Sequence, residues 1–175
     1  MTHDDLRFPI GPYEAPAEVS AAQVAAWIDE IERFPAELRA VVEPLTAAQL
    51  ATPYRPGGWR VRQVVHHLAD SHMNGFCRFK LAVTEDRPTI KPYREELWAE
   101  LPESDDFPVA VSLQLIEALY ARWVVLMRGL SAEDLRREFV HPEIGVVRVD
   151  EYFGNYAWHS RHHLAHITRL VEREG

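Results

Sequence analysis

Only one cysteine, Cys77, occurs in 175 residues, so no internal disulfide can form and neither a thiolate cluster nor a zinc ribbon can be built. That usage fits a reducing, cytoplasmic setting. Positive charge is scarce as well: 19 Lys and Arg stand against 27 Asp and Glu, giving a formal net charge of −8. The resulting field repels phosphate backbones and anionic lipid surfaces, which excludes nucleic acid as an expected partner. No continuous apolar run approaches the ~20 residues needed to span a bilayer. The opening MTHDDLRFPIGPY also lacks the positive start and apolar stretch of a secretory signal, so no membrane partner is expected. Internal repeats and low-complexity tracts are absent.

What remains is ordinary globular composition, 47% hydrophobic and 26% charged, on a length that fits one domain spanning 1–175. Residues 6–17, LRFPIGPYEAPA, carry three prolines and a glycine, which prevents a helix and predicts an extended arm laid over the body. Helical periodicity then begins, with Ser20 as N-cap. Val24, Trp27, Ile28, Ile31, Phe34, Leu38 and Val41 recur at steps of three and four, predicting a long helix bent at Pro35.

After a short helical turn and the break in TPYRPGGW, the same period predicts a second helix from Trp59 to Thr84. Residues 85–108 hold four prolines and many charges, which predicts a long crossover of the kind that roofs a site. A third helix is predicted over Val109 to Gly129 and a short one after Ser131. A small hairpin in HPEIGVVRVD and a last helix to Arg173, capped by Asp150, complete the chain. Four long amphipathic helices with little strand signal predict an all-α four-helix bundle.

Nine histidines are present and they cluster: His66, His67 and His72 on the second helix, His159, His162, His163 and His166 on the last. Two histidines four apart differ by only ~40° and ~6 Å of rise, so both rings can reach one ion. On the last helix Tyr152, Phe153, Tyr156, Ala157, Leu164, Ile167, Leu170 and Val171 fill one sector. His159 and His163 fall inside it, His162 outside and His166 at its border, so the inward pair is His159 and His163. A third ligand must come from the second helix, where periodicity puts His72 central, His67 toward the edge and His66 on the far side. The plainer reading is that inward histidines bond to tyrosines or backbone groups.

HHLADSH, followed much later by YAWHSRHHLAHI, resembles the DinB-like superfamily of metal-dependent four-helix-bundle proteins. RFPIGPY, TPYRPGGWRVRQVVHHLADSHMN, FKLAVTEDRPTIKPY and FVHPE are similar to its YfiT group, described as metal-dependent hydrolases related to bacillithiol S-transferases. The resemblance covers nearly the whole chain. It implies His67, directly before Leu-Ala-Asp, as first ligand, with His159 and His163 as the other two. Where many members have glutamine three residues after the last ligand, this chain has His166.

The resemblance further implies a three-histidine divalent ion with open positions, acting on a small-molecule substrate. Imidazole donors suit a transition metal, zinc or nickel foremost. Hydrolysis is one expected chemistry; transfer of a low-molecular-weight thiol to an electrophile is another, and a non-catalytic metal-binding or ligand-binding module is a third. Asp70, Tyr156 and Arg161 are candidates for proton handling. Cys77 reads as core, and Trp59, Trp98 and Trp158 as core or pocket wall. Bundles of this family often pair, so a homodimer is expected.

Overall fold

The computed structural model of the protein describes residues 6–174. The first five residues and Gly175, on which part of the signal reading and both ends of the single-domain reading fall, lie outside the described residues. Helix α1 spans Ala21–Val42 and starts where the Ser20 hydroxyl accepts from the Gln23 N–H at 3.1 Å. Pro35 stays inside it, and Val24, Trp27, Ile28, Ile31, Phe34, Leu38 and Val42 form its buried face. After α2 (Ala47–Ala51), residues 52–61 close on themselves: Pro53 bridges Arg60, and the Tyr54 N–H donates to the Trp59 carbonyl at 3.0 Å. Gly57, at φ +66°, turns this loop in the left-handed region that a side chain disfavours. The second long helix, α3, therefore starts at Val61 rather than Trp59, because the backbone of Trp59 is committed to the loop, and it runs to Thr84.

The crossover is less irregular than its prolines predict. It contains α4 (Glu95–Trp98) and α5 (Pro102–Asp105), the latter opening on a proline whose missing N–H has no partner to lose there. Polar contacts tie it to α3: Gln63 Nε2 donates to the Ala99 carbonyl at 2.7 Å, and Arg62 donates to the Asp105 carbonyl at 2.9 Å. Helix α6 (Val109–Gly129) follows, then α7 (Ala132–Leu135). Strands β1 (Glu138–His141) and β2 (Gly145–Arg148) pair antiparallel, so one strand lies mostly ahead of the predicted HPEIGVVRVD segment. Helix α8 (Val149–Glu174) includes Asp150 in its first turn instead of outside it as a cap. Glu151 accepts from the Arg148 N–H at 3.3 Å, and Asp150 pairs with the Arg148 guanidinium.

Helix α1 packs on α6 and α8, and α3 packs on the same two, so α1 and α3 lie diagonally across a four-helix bundle. By length and composition α6 is apolar enough to cross a membrane, which reading continuous runs alone did not predict. Its Leu113, Ile116, Leu119, Tyr120, Trp123, Val124 and Met127 face neighbouring helices. The N-terminal arm does lie over the body, although Leu6 and Arg7 are helical. Tyr13 Oη donates to the Glu151 carbonyl at 3.0 Å, and Trp158 Nε1 donates to the Gly11 carbonyl at 3.2 Å.

At the contact of α3 with α8, a Cβ on Gly75 would lie 2.2 Å from the Tyr156 ring. Alanine elsewhere in a helix stabilises relative to glycine by ~1 kcal/mol. Here the clash reverses that sign: Gly75→Ala is expected to cost about 1–3 kcal/mol as overpacking, read as a lower denaturant midpoint at unchanged slope.

Candidate metal centre

Because α3 and α8 are neighbours, the Leu68 turn of α3 faces the middle of α8, and His67, His159 and His163 converge there. One ring nitrogen from each lies within 4.8 Å of the other two. His67 Nε2 and His159 Nε2 are 3.3 Å apart. Two nitrogens sharing a tetrahedral ion at bond lengths of 2.0–2.1 Å sit about 3.3–3.4 Å apart, so this edge already has the right length. Burial pushes the His67 pKa down to about 3, with His72 as the next contribution, and holds His159 and His163 well below the usual histidine value. All three rings are therefore neutral near pH 7, with lone pairs to give.

Which nitrogen carries that lone pair follows from two main-chain carbonyls, which can only accept. Ser160 Oγ donates to the Tyr156 carbonyl at 2.8 Å, so at the 3.1 Å contact with Tyr120 it is the Tyr120 hydroxyl that donates to Ser160. The Tyr120 oxygen, its proton used, accepts from His72 Nδ1. His72 Nε2 then has no proton and accepts from His159 Nδ1 at 2.9 Å, which leaves His159 Nε2 bare. On the other side the Arg7 carbonyl accepts from His166 Nε2 at 3.0 Å, and His166 Nδ1 accepts from His163 Nδ1 at 3.3 Å. His163 Nε2 is bare as well. The third ring has Tyr93 Oη 3.5 Å from His67 Nδ1. Each Nδ1 thus has its own partner, the arrangement by which metal-ligating histidines are oriented.

Two cavities meet at this cluster. One, of ≈400 Å³, has Trp59, Tyr54, Trp158 and Phe8 in its walls beside the histidines, with Arg7 and Arg55 at its edge. The other, of ≈380 Å³, is walled by Tyr93, Arg78, His141, Asn155 and Tyr156. His159 and Glu95 line both. Partial burial, then Glu96 and Glu143, raise the Glu95 carboxyl above the usual carboxylate value.

The other sequence candidates disperse. Tyr156 is buried beside the cluster, with its hydroxyl donating to the Ser71 carbonyl at 3.2 Å. Asp70 lines neither cavity; burial and Glu103 raise its carboxyl to about 6. Arg161 also lies away from both cavities and pairs with Glu30 on the outer face of α8. His66, placed on the far side by periodicity, is buried because the crossover covers that side: its Nδ1 lies 2.8 Å from Ser112 Oγ and its Nε2 3.2 Å from the Phe107 carbonyl. His162 is buried against Trp158 at 4.5 Å between ring centres. Cys77, expected in the core, is exposed. Trp59 and Trp158 line the first cavity, and Trp98 packs on Tyr93 at 4.5 Å. Sequence reasoning missed Tyr93, Glu95, Tyr120 and Ser160, which join the site from the crossover, α6 and α8 with no shared spacing.

A bundle with three convergent imidazoles from two of its long helices defines a class of metal-binding helical proteins. Residues 30–167 match the DinB superfamily, and the chain belongs to it. A protein of Bacillus cereus (strain 03BB102) is 54% identical over 170 residues, covering 97% of this chain and 98% of the relative; its provisional name is metal-dependent hydrolase. A Bacillus thuringiensis subsp. konkukian (strain 97-27) protein with the same provisional name matches equally, at 54% over 97% and 98% of the two chains. Among solved structures, YfiT from Bacillus subtilis superposes with a TM-score of 0.96 at 47% identity, covering 98% of each chain. YfiT is described, again provisionally, as a metal-dependent hydrolase with an unusual four-helix bundle topology.

Two outcomes are expected. His72→Phe keeps the ring but removes the acceptor behind His159, and metal affinity should fall about 10–100-fold in competition with a chelating dye while the fold persists. Second, the buried histidines are neutral in the fold, whereas those of the unfolded chain protonate below about pH 6.5. Below that value the unfolded state binds more protons, so stability is fully present above pH 6.5 and lost as pH falls, by up to roughly 1.4 kcal/mol per pH unit for each such group. For His67 the loss continues to its folded pKa of about 3. In chelator-treated protein, Tm measured by calorimetry should therefore decline steadily from pH 6.5 downward.

Proposed function

We propose that this protein is a cytoplasmic hydrolase that acts on a small-molecule substrate through one divalent transition metal, zinc or nickel, held by His67, His159 and His163. The observation that carries this reading is the convergence of three neutral imidazoles, His67 and His163 buried and His159 half-buried, each with Nδ1 engaged elsewhere, where two cavities meet. Their donor chemistry fits such an ion: nitrogen lone pairs at the spacing of a tetrahedral edge, with no carboxylate in the cluster among the described residues. When bound, the ion would supply Lewis-acid polarisation of a carbonyl or a water molecule.

The chain's own groups do the rest. The aromatic wall of Trp59, Tyr54 and Trp158 excludes bulk water from one side of a bound substrate. Glu95, its carboxyl held above the usual carboxylate value and lining both cavities, is placed to take up and return a proton, the role for which Asp70, Tyr156 and Arg161 were candidates. A second reading, transfer of a low-molecular-weight thiol to an electrophile, is favoured by the two cavities of nearly equal volume that both border His159, room for two reactants. The proposal includes a homodimer, supported by Val111, Leu115 and Val125, which remain exposed along α6. The acidic balance disfavours nucleic acid as a partner.

Wild type should carry one tightly held equivalent of zinc or nickel by elemental analysis, and His67→Ala, His159→Ala and His163→Ala should each lose it. Hydrolysis of activated esters or amides should disappear in those variants and on chelation. Retained metal in all three would sink the ligand assignment. Turnover of thiol–electrophile pairs without hydrolysis would replace the first chemistry by the second.

A further inference from the structure

Helix α8 carries a second pair of histidines four apart, His162 and His166, interleaved with His159 and His163. One ring nitrogen from each of His162, His163 and His166 lies within 4.8 Å of the other two, and the three residues are only 7%, 7% and 3% exposed. The 3.3 Å between His163 Nδ1 and His166 Nδ1 has the length of a tetrahedral edge, like the 3.3 Å between His67 and His159.

One proton between those two Nδ1 atoms serves His163 and His166 but leaves a defect. His162 Nδ1 is buried and has no hydrogen-bond partner among the described residues. A buried polar atom without a partner costs about 1–3 kcal/mol, and such an atom calls for an explanation. The ring is neutral, since burial, with a smaller contribution from His166, lowers its pKa to about 3, so it offers a lone pair and no competing charge.

We propose that His162, His163 and His166 form a second cation site for a divalent transition ion, sharing His163 with the first. The ion takes the place of the proton between His163 and His166. His163 would release its Nδ1 proton to water on uptake of the second ion, so that both of its ring nitrogens could serve as donors. His166 keeps its Nε2 hydrogen bond to the Arg7 carbonyl and turns its Nδ1 lone pair to the ion. His162 completes the triad, which removes the defect. Phe8, Trp158 and Arg55 stand in the wall of the cavity that these histidines also line, leaving an open side for an external ligand. Three imidazole donors select zinc, nickel or copper(II) over magnesium or calcium. The proposal rests on the reading of His163 as a ligand of the first ion through Nε2.

Metal-free protein without a polyhistidine tag, titrated with zinc(II) by calorimetry and checked by elemental analysis after gel filtration, tests it. Wild type should take two equivalents, the weaker one with release of a proton, visible as a heat that depends on the buffer. His162→Gln and His162→Asn should each take one, at the affinity of the tighter wild-type site, with far-UV circular dichroism unchanged. Saturation of wild type at one equivalent, two equivalents in both His162 variants, or a second equivalent without proton release would overturn the shared site. A single equivalent abolished by His67→Phe would leave the first site standing alone, whereas no uptake by wild type would overturn both.

Discussion

A carbonyl oxygen accepts hydrogen bonds and never donates them, and in this protein that asymmetry is transmitted from two main-chain positions to the imidazole cluster. From Tyr156 it passes through Ser160, Tyr120 and His72 to His159; from Arg7 it passes through His166 to His163. Every link is buried or half-buried, where an unmade hydrogen bond is costly and the neutral form of each ring is enforced. The direction of each proton along these chains is fixed before any ligand arrives. A site assembled this way meets its ion with lone pairs already aimed, so little reorganisation opposes binding.

The bundle's neighbour relations make those chains possible. Placing α1 and α3 diagonally puts α3 against both α6 and α8, so Tyr120 of α6 can reach between His72 of α3 and Ser160 of α8. Gly75 lets the Tyr156 ring come against α3, which sets the depth of α8 at the Tyr156 carbonyl. The crossover then covers the open flank of α3, adding Tyr93 behind His67 and Glu95 between the cavities. Packing and chemistry are thus one problem, since the residues that seat the helices also orient the rings.

Much of this was legible in the sequence. The 3.6-residue period located the four long helices, but on α8 it set His162 outside the apolar sector, whereas the structure buries His162 as deeply as His163, at 7% exposure each, because Trp158 packs over it. On α3 it ranked His72 above His67, and the structure gives the reason: His72 is the more deeply buried, at 0% exposure against 5%, because it stands behind His159 among Tyr120 and Phe34. Depth in an apolar stripe measures burial, whereas the cluster lies where two helices and a cavity meet, nearer the stripe's edge. The family resemblance pointed to His67, and the structure brings His67 next to His159. His66 was misread because periodicity sees one helix and not the segment folded over it. Cys77 was misread in the opposite sense. Arg161 lay near the histidines in sequence but points outward to Glu30. Residues contributed by the crossover and by α6 left no signal, since nothing in their local spacing reports a partner 26 or 48 positions away.

The acceptor at position 7 is the peptide oxygen, not the guanidinium, so the identity of that residue is free to drift while its effect on His166 persists. An inserted or deleted residue in the arm is a different matter, because it would carry the oxygen out of reach and let the imidazole above it turn over. Point substitutions and length changes in this peripheral strap should therefore have very different histories among related chains: composition tolerant, spacing intolerant.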